Sequence, residues 1–187
     1  DDLIDDAMQA GFRFISLRCR SKEEVRSRLR RSFEPPIVEQ ATVALPCFFD
    51  LNELQERAGS VIAEATGAEA GCVTASSAAG ITLSVAAAMT GSDPGKIGQL
   101  PDPRGMPDQV VIQKGHAVNF GAPIAQMIRL AGARVVEIGT INGASDFELE
   151  HALNPSTAAV VFVVSHHTVR YGCIPLQRTV EIAHAHE

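Results

Sequence analysis

With 187 residues, 45% of them hydrophobic and 20% charged, the chain is long enough for one domain with a substantial core, and its composition is ordinary for a globular protein. Its net charge of −6 argues against a nucleic-acid-binding protein, which normally presents a basic face. No apolar run in the sequence is long enough to span a bilayer, so we also expect no membrane partner.

The cysteines and histidines give no sign of a disulfide framework or a metal site. The four cysteines lie far apart without paired spacing, which favours reduced thiols in a cytoplasmic protein. The histidines lack the spacing of a strong zinc motif, so no metal is expected. Because the chain begins with Asp1 and ends at Glu187 within a helical pattern, we expect a piece of a longer protein.

The first 67 residues contain two helix-start signals. Residues 21–24 match a capping box that opens a basic helix, which is expected to end before Pro35. Asp50 begins a second signal, behind which apolar residues recur on one helical face until Gly67. We treat residues 1–48 as a separate N-terminal helical segment.

A strand, a tight turn and a helix are predicted next. An apolar run at 72–74 meets the small residues 75–80, and an apolar helix follows at 81–89. The first turn of such a helix carries N–H groups without an intrahelical partner, and Ser76 and Ser77 place two hydroxyls beside them. Such a turn can bind a phosphate or carboxylate, although a serine N-cap on a buried helix gives the same pattern.

The rest of the chain alternates strands with helices. This pattern indicates an α/β fold with a mostly parallel sheet and helices on both faces. Residues 91–108, rich in Gly, Pro and Asp, are expected to form a long loop. The further predicted strands are 109–113, 133–138 and 158–164, and the further predicted helices are 119–131, 146–153 and 175–186.

Polar residues follow three of these predicted strands, at 75–78, 114–116 and 165–168. Ligands of parallel α/β sheets bind beyond the carboxyl ends of the strands. We therefore expect the three segments to converge on one crevice, which favours the anion-binding interpretation of the serine turn.

Three blocks of sequence resemble a known family. They read DLNELQERAGSVIAEATGAEAGCVTASSAAGITLSVAAAMTG, VVIQKGHAVNFGAPIAQMIRLAGARVVEIG and VVFVVSHHTVRYGCIPLQRTVEIAHAH. Together they resemble the selenocysteine-synthase-like group of pyridoxal-phosphate (PLP) enzymes of fold type I, to which the seryl-tRNA selenium transferases are related. Within this group they look closest to the ammonia-lyases that act on amino-sugar acids.

The resemblance implies that residues 49–187 are the N-terminal part of a PLP-binding large domain. It implies that the small-residue turn holds the cofactor phosphate, that His116 stacks on the pyridine ring, and that the loop after the last predicted strand contacts the ring or the substrate. The implied cofactor contacts are Ala75, Ser76, Ser77, Ala78, His116 and Ser165. His167 is the implied catalytic residue, which orients the cofactor or moves protons.

Two parts of the family pattern are missing from this chain. The aspartate that pairs with the pyridine nitrogen and the lysine that binds the cofactor covalently would both lie beyond Glu187, and PLP chemistry needs both. Residues 1–45 also lack the Gly-rich N-terminal segment of the family. The chain is therefore predicted to be part of an enzyme.

Three side chains have competing interpretations. Lys114 follows a strand, where a covalent cofactor bond is conceivable, but a surface lysine is expected. Cys173 could pair with a histidine as a nucleophile, but a packed cysteine is favoured. Arg170 is the best-placed arginine for a substrate phosphate or carboxylate, and a solvated arginine is an equal alternative.

These patterns lead to one expected function and two alternatives. We expect a PLP-dependent lyase or transferase that performs β-elimination, or another reaction at the α-carbon, on an amino acid or amino-sugar acid, and the resemblance implies a homo-oligomer. One alternative is an incomplete remnant that serves as a binding or dimerisation module. The other is a selenium or sulfur transferase of the same family, although the acidic balance weighs against a tRNA substrate.

Overall fold

The computed structural model describes residues 47–119, 121–168 and 171–186. These residues divide between a small unit, up to residue 73, and a larger unit from residue 74 onward. The helices are α1 (Leu51–Thr66), α2 (Ser77–Thr90), α3 (Pro94–Gln99), α4 (Ile124–Leu130), α5 (Asp146–Ala152) and α6 (Leu176–His184), and the strands are β1 (Gln109–Gln113), β2 (Arg134–Ile138) and β3 (Thr157–Val161).

Helix α1 is the main element of the small unit, and both of its ends follow the predicted signals. The Asp50 carboxylate accepts hydrogen bonds from the N–H groups of Asn52 and Glu53, at 2.8 and 3.2 Å. Gly67 ends the helix with φ 70°, a left-handed conformation that favours glycine. The capped helix predicted here is confirmed.

The strand predicted at 72–74 is wrong, because no strand forms there. A strand needs a neighbouring backbone to complete its hydrogen bonds. Here a side chain supplies the partner instead, since Gln55 Nε2 donates to the Val73 carbonyl at 2.7 Å. The segment is therefore held by α1.

The larger unit is built on a parallel sheet in the order β2-β1-β3. Strand β1 pairs with β2 from Gln109–Arg134 to Gln113–Ile138, and with β3 as far as Ile112–Val161. All five residues of β1 are buried, as expected for a central strand. The α/β fold with a parallel sheet is confirmed.

Helices cover both faces of this sheet. Successive side chains of β1 point to opposite sides, so each face carries apolar residues that a helix buries. Val110 and Ile112 pack into one buried cluster, which also contains Val85 of α2 and Ile128 of α4. Val111 packs into the other cluster. Its other buried members are Ile138, Leu149, Ile174 and Ile182, which lie in β2, in α5, before α6 and in α6.

Three further predicted elements differ from the structure. Strand β3 ends at Val161, although the expected strand continued to residue 164. The loop expected at 91–108 contains helix α3, which starts where Asp93 Oδ1 accepts from the N–H groups of Gly95 and Lys96 at 2.8 and 3.2 Å. The helix expected from residue 119 begins only at Ile124. The delay follows from a turn in which Asn119 Oδ1 accepts from the Gly121 N–H at 2.8 Å.

Some predictions lie outside the described residues, namely those on residues 1–46 and on Arg170. The boundary expected between residues 48 and 49 stays a prediction. None of the helices in the described ranges could span a bilayer.

Candidate functional site

The serine turn at the start of α2 is exposed. Ser76 is the N-cap, with extended backbone, and its Oγ accepts from the Ala79 N–H at 3.2 Å. Thr74 Oγ1 donates to the Ser76 carbonyl at 2.9 Å, which steadies the approach to the turn. Ser76 and Ser77 are both exposed, and the helix behind them is 14 residues long.

This geometry is compatible with both interpretations of the turn, as a helix N-cap and as an anion-binding site. Ser76 is a true N-cap, and the helix it caps carries a positive end that faces solvent. The N–H groups of Ser77 and Ala78 belong to the first turn, where no intrahelical carbonyl can reach them. An exposed turn of this kind, without bulky side chains, can accept a phosphate.

His116 occupies the carboxyl end of β1, in a short 3-10 helix spanning Lys114–His116. Only 2% of the residue is exposed. The edge of its ring packs against Phe162, with centroids 4.3 Å apart and planes at 82°. Its Nδ1 accepts a hydrogen bond from the Val163 N–H, with 3.4 Å between the two nitrogens. Burial lowers the pKa of His116 and favours the neutral imidazole.

The position of His116 in the topology is a preferred place for ligands. From β1 the chain crosses to β2 on one side, and it then returns to β3 on the other side of β1. Ligands of open parallel sheets bind where the strand order reverses in this way. The contact of His116 with Phe162 and Val163 joins the carboxyl ends of β1 and β3 at this point.

The loop after β3 brings Ser165 and His167 together. Ser165 Oγ accepts from the His167 N–H at 3.2 Å and lies 3.4 Å from His167 Nδ1. The Thr168 hydroxyl donates to the Ser165 carbonyl at 2.7 Å. The imidazoles of His166 and His167 lie 3.8 Å apart between centroids. Ser165 is half-buried and His167 is exposed, so this tight turn presents an imidazole to solvent.

Two residues with competing interpretations, Lys114 and Cys173, lie close to the end of β1 and the start of α6. Lys114 is exposed and lies 3.8 Å from the Glu137 carboxylate. Cys173 packs against Gly115, and burial raises the pKa of its thiol, which makes it a poor nucleophile. Within residues 47–119, 121–168 and 171–186, no three His, Cys, Asp or Glu side chains form a group that could hold a metal ion.

Two contacts of the candidate site residue His116 had no direct signal in the sequence. The partners of His116 are Phe162 and Val163, which directly follow β3 and lie 46 and 47 residues away along the chain. One indirect signal existed, because a polar residue shortly after an apolar central strand must find a partner when it is buried. The partner itself depends on how the strands are ordered.

Comparisons with known proteins identify relatives of this part of the chain, although no family model matches. The D-glucosaminate-6-phosphate ammonia lyase of Salmonella typhimurium (strain 14028s / SGSC 2262) is 38% identical over 154 residues, which cover 82% of this chain and 42% of the relative. The 5'-C-glycyluridine monooxygenase-decarboxylase of a Streptomyces species is 42% identical over 139 residues, which cover 73% of this chain and 35% of the relative. The L-seryl-tRNA(Sec) selenium transferase of Pasteurella multocida (strain Pm70) is 27% identical over 113 residues, which cover 59% of this chain and 20% of the relative.

A solved structure agrees with these relatives. The structure of D-glucosaminate-6-phosphate ammonia-lyase matches with a TM-score of 0.77 at 38% identity, over 81% of this chain and 41% of the other. The chain therefore spans less than half the length of the relatives it matches.

The fold and the comparisons together define the class of protein. The chain is homologous to PLP-dependent enzymes of fold type I, which confirms the resemblance drawn from the three sequence blocks. Within that class its relatives include the ammonia lyase, whose fold it shares over most of its length.

The residues present fit the phosphate group of PLP. A phosphate needs N–H and O–H donors and no nearby carboxylate, and the exposed turn 75–78 offers two serine hydroxyls and first-turn amides. The ring is a different case, because the imidazole of His116 is covered by its own neighbours.

Proposed function

We propose that this chain provides the phosphate-binding part of a PLP-dependent lyase that eliminates ammonia from an amino acid or amino-sugar acid. The observation that carries the proposal is the exposed serine turn at the N-terminus of α2, in a fold that matches the ammonia-lyase structure. When bound, PLP supplies an electron sink for the bond broken at the α-carbon.

Each predicted site residue has a role in this proposal. Ala75, Ser76, Ser77 and Ala78 bind the cofactor phosphate through their amides and hydroxyls. Ser165 contacts the cofactor, and the exposed imidazole of His167 moves a proton at the substrate. Arg170 binds an acidic group of the substrate. A shared cleft is supported by packing, because Ile81 of α2 and Val163 after β3 contact the same hydrophobic cluster.

His116 is proposed to contact the pyridine ring. Since only 2% of the residue is exposed, ring contact requires the edge contact with Phe162 to be exchanged for one with the cofactor. The neutral imidazole favoured by burial suits this role, because it adds no charge beside the ring.

Binding of a cofactor analogue tests the phosphate role. Pyridoxine 5'-phosphate and pyridoxine lack the aldehyde, so neither forms a covalent bond with lysine, and they differ only in the phosphate. Calorimetric titration of the protein should give tighter binding of the phosphorylated form. Ser77→Asp should weaken that form by about tenfold through charge repulsion, and leave pyridoxine within about twofold.

Ser156→Asp is the matched control. Ser156 is exposed and lies just before β3, at the amino-terminal ends of the strands. The same added charge at this position should therefore not affect binding at the serine turn. Equal affinity for the two compounds, or equal effects of the two substitutions, would remove the phosphate site from the proposal.

A second candidate reaction is oxidative decarboxylation at the α-carbon. The observation that favours it is the 42% identity with the monooxygenase-decarboxylase. Ammonia release without oxygen uptake from amino-sugar acids supports the lyase, whereas oxygen uptake with release of CO2 supports the second candidate. A chain that binds neither PLP nor its analogues would instead favour the binding or dimerisation module.

The remaining parts of the proposal concern the assembly. We propose a cytoplasmic homo-oligomer without nucleic-acid or membrane partners, on the strength of the acidic composition and the family resemblance. Size-exclusion chromatography with light scattering tests the oligomer, and a monomer at micromolar concentration would contradict it.

A further inference from the structure

We propose that His116 is a positioning residue, whose Nδ1 holds the backbone of Val163 and thereby sets the loop that carries Ser165 and His167. The functional value of this role rests on the proposed function, since Ser165 and His167 act there on cofactor and substrate. The contact itself does not depend on it: Nδ1 lies 3.4 Å from the Val163 nitrogen, and Phe162 packs edge-on against the same ring.

The geometry explains why a side chain is needed at this point. The ladder between β1 and β3 ends at the pair Ile112–Val161. Val163 lies two residues further on, where the chain after β1 has already turned into the 3-10 helix Lys114–His116. Among the described residues no strand continues there to accept the Val163 N–H, and the imidazole nitrogen takes the place of a strand carbonyl.

The same contact selects one tautomer of His116. Nδ1 accepts a hydrogen bond only when it carries no proton, so the proton of the neutral ring must be on Nε2. The buried surroundings act in the same direction, because desolvation disfavours the doubly protonated ring. A histidine that only filled space beside Phe162 would have no reason to prefer this tautomer.

The position of Val163 is passed on to the functional side chains through a short, bonded segment. Ser165 follows two residues later, and its Oγ accepts from the His167 N–H at 3.2 Å. Its carbonyl accepts from the Thr168 hydroxyl at 2.7 Å. Because this turn is closed by its own hydrogen bonds, fixing its entry at Val163 fixes where the His167 imidazole lies.

Two substitutions of His116 distinguish the contribution of its aromatic ring from that of its hydrogen-bond acceptor. His116→Phe keeps a flat ring and removes the acceptor, whereas His116→Asn removes the ring and keeps an acceptor oxygen near the position of Nδ1. Amide hydrogen exchange is measured for Val163 and for Val110 to Ile112 of β1, which report the stability of the whole sheet.

The expected result is selective. In His116→Phe, exchange at Val163 should become at least about tenfold faster relative to β1, and His116→Asn should restore most of the protection. Equal protection of Val163 in both variants would overturn the proposal. If either variant fails to fold, the imidazole ¹⁵N shifts of the unsubstituted protein decide: an unprotonated Nδ1 supports the proposal, and a proton on Nδ1 overturns it.

Titration of the same variants with pyridoxine 5'-phosphate keeps the two proposals distinct. A response at Val163 in a protein that binds no cofactor analogue retains the positioning role and rejects the proposed function. Analogue binding with no response at Val163 supports the proposed function and overturns the positioning role. If stacking is the main role of His116, His116→Phe retains affinity and His116→Asn loses it.

Discussion

The side chain of Gln113 pairs with the backbone of Ile174 as a neighbouring strand would. Its Oε1 accepts from the Ile174 N–H at 2.8 Å, and its Nε2 donates to the Ile174 carbonyl at 3.1 Å. Both residues are buried, so this pair ties the carboxyl end of β1 to the segment that leads into α6.

Loss of this pair should be costly. Gln113→Ala leaves a buried N–H and a buried carbonyl of Ile174 without partners, and we expect the free energy of unfolding to fall by roughly 2–4 kcal/mol. Urea denaturation followed by circular dichroism measures the change. Gln177→Ala on the exposed side of α6 is the control, with an expected change within about 0.5 kcal/mol. Similar losses in both variants would show that the pair is not important.

The two serines of the turn should differ in their effect on stability. Ser76→Ala removes the N-cap bond to the Ala79 N–H, and we expect a loss of about 1 kcal/mol. Ser77→Ala adds a good helix former at an exposed position and should change stability by less than about 0.5 kcal/mol. Thermal unfolding of both variants tests this difference, and a larger loss in Ser77→Ala would contradict the assignment of the cap.

Gly115 lies where no side chain fits. A Cβ built on it would come within 2.5 Å of the Ile141 carbonyl oxygen and 3.2 Å of Cys173 Sγ. We expect Gly115→Ala to destabilise the protein by roughly 1–3 kcal/mol, because the backbone of the loop after β2 must move.

Gly98→Ala is the matched control for this prediction. Gly98 lies in α3 with open space around its Cα, and alanine there should be neutral or stabilising by up to about 1 kcal/mol. Denaturant midpoints of the two variants give the comparison, and tolerance of both substitutions would mean that the loops at the carboxyl edge adjust freely.

Stability should fall on acidification because of His116. Its pKa is lowered from 6.5 by burial, so the unfolded chain binds a proton more readily than the folded protein does. The stabilisation is therefore complete above about pH 6.5 and is lost as the pH falls from there toward the lowered pKa, with a slope of at most about 1.4 kcal/mol per pH unit. Denaturation between pH 5 and 7.5 should show this slope in the native protein and a smaller one in His116→Asn, and an unchanged slope would assign the effect to other groups.

Much of the fold was predictable because local chemistry and tertiary packing agree. The run QVVIQ of β1 is apolar enough for a central strand, and Asp50 and Gly67 mark the ends of α1 by capping rules that depend only on near neighbours. Helix α3 could have been found in the same way, since Asp93 followed by Pro94 is a helix-start signal inside the stretch interpreted as a loop.

The failures have a different cause. The run 72–74 has strand-like residues, but whether it becomes a strand depends on a free sheet edge, and Gln55 binds its backbone instead. The burial of His116 was equally hidden, because Phe162 and Val163 reach it only when β3 lies beside β1.

The sequence by itself determined most of the alternation of strands and helices, the caps, the donor groups of the serine turn and the resemblance to PLP-dependent enzymes, because these follow from residues close together in the chain or from whole blocks of similarity. Only the tertiary structure decided which strand ends meet, that Gln113 joins Ile174, and that His116 is buried with its Nδ1 facing Val163. The physical reason is that these contacts join residues more than 40 positions apart, and the order of the strands and the packing of the segments that follow them select the partner.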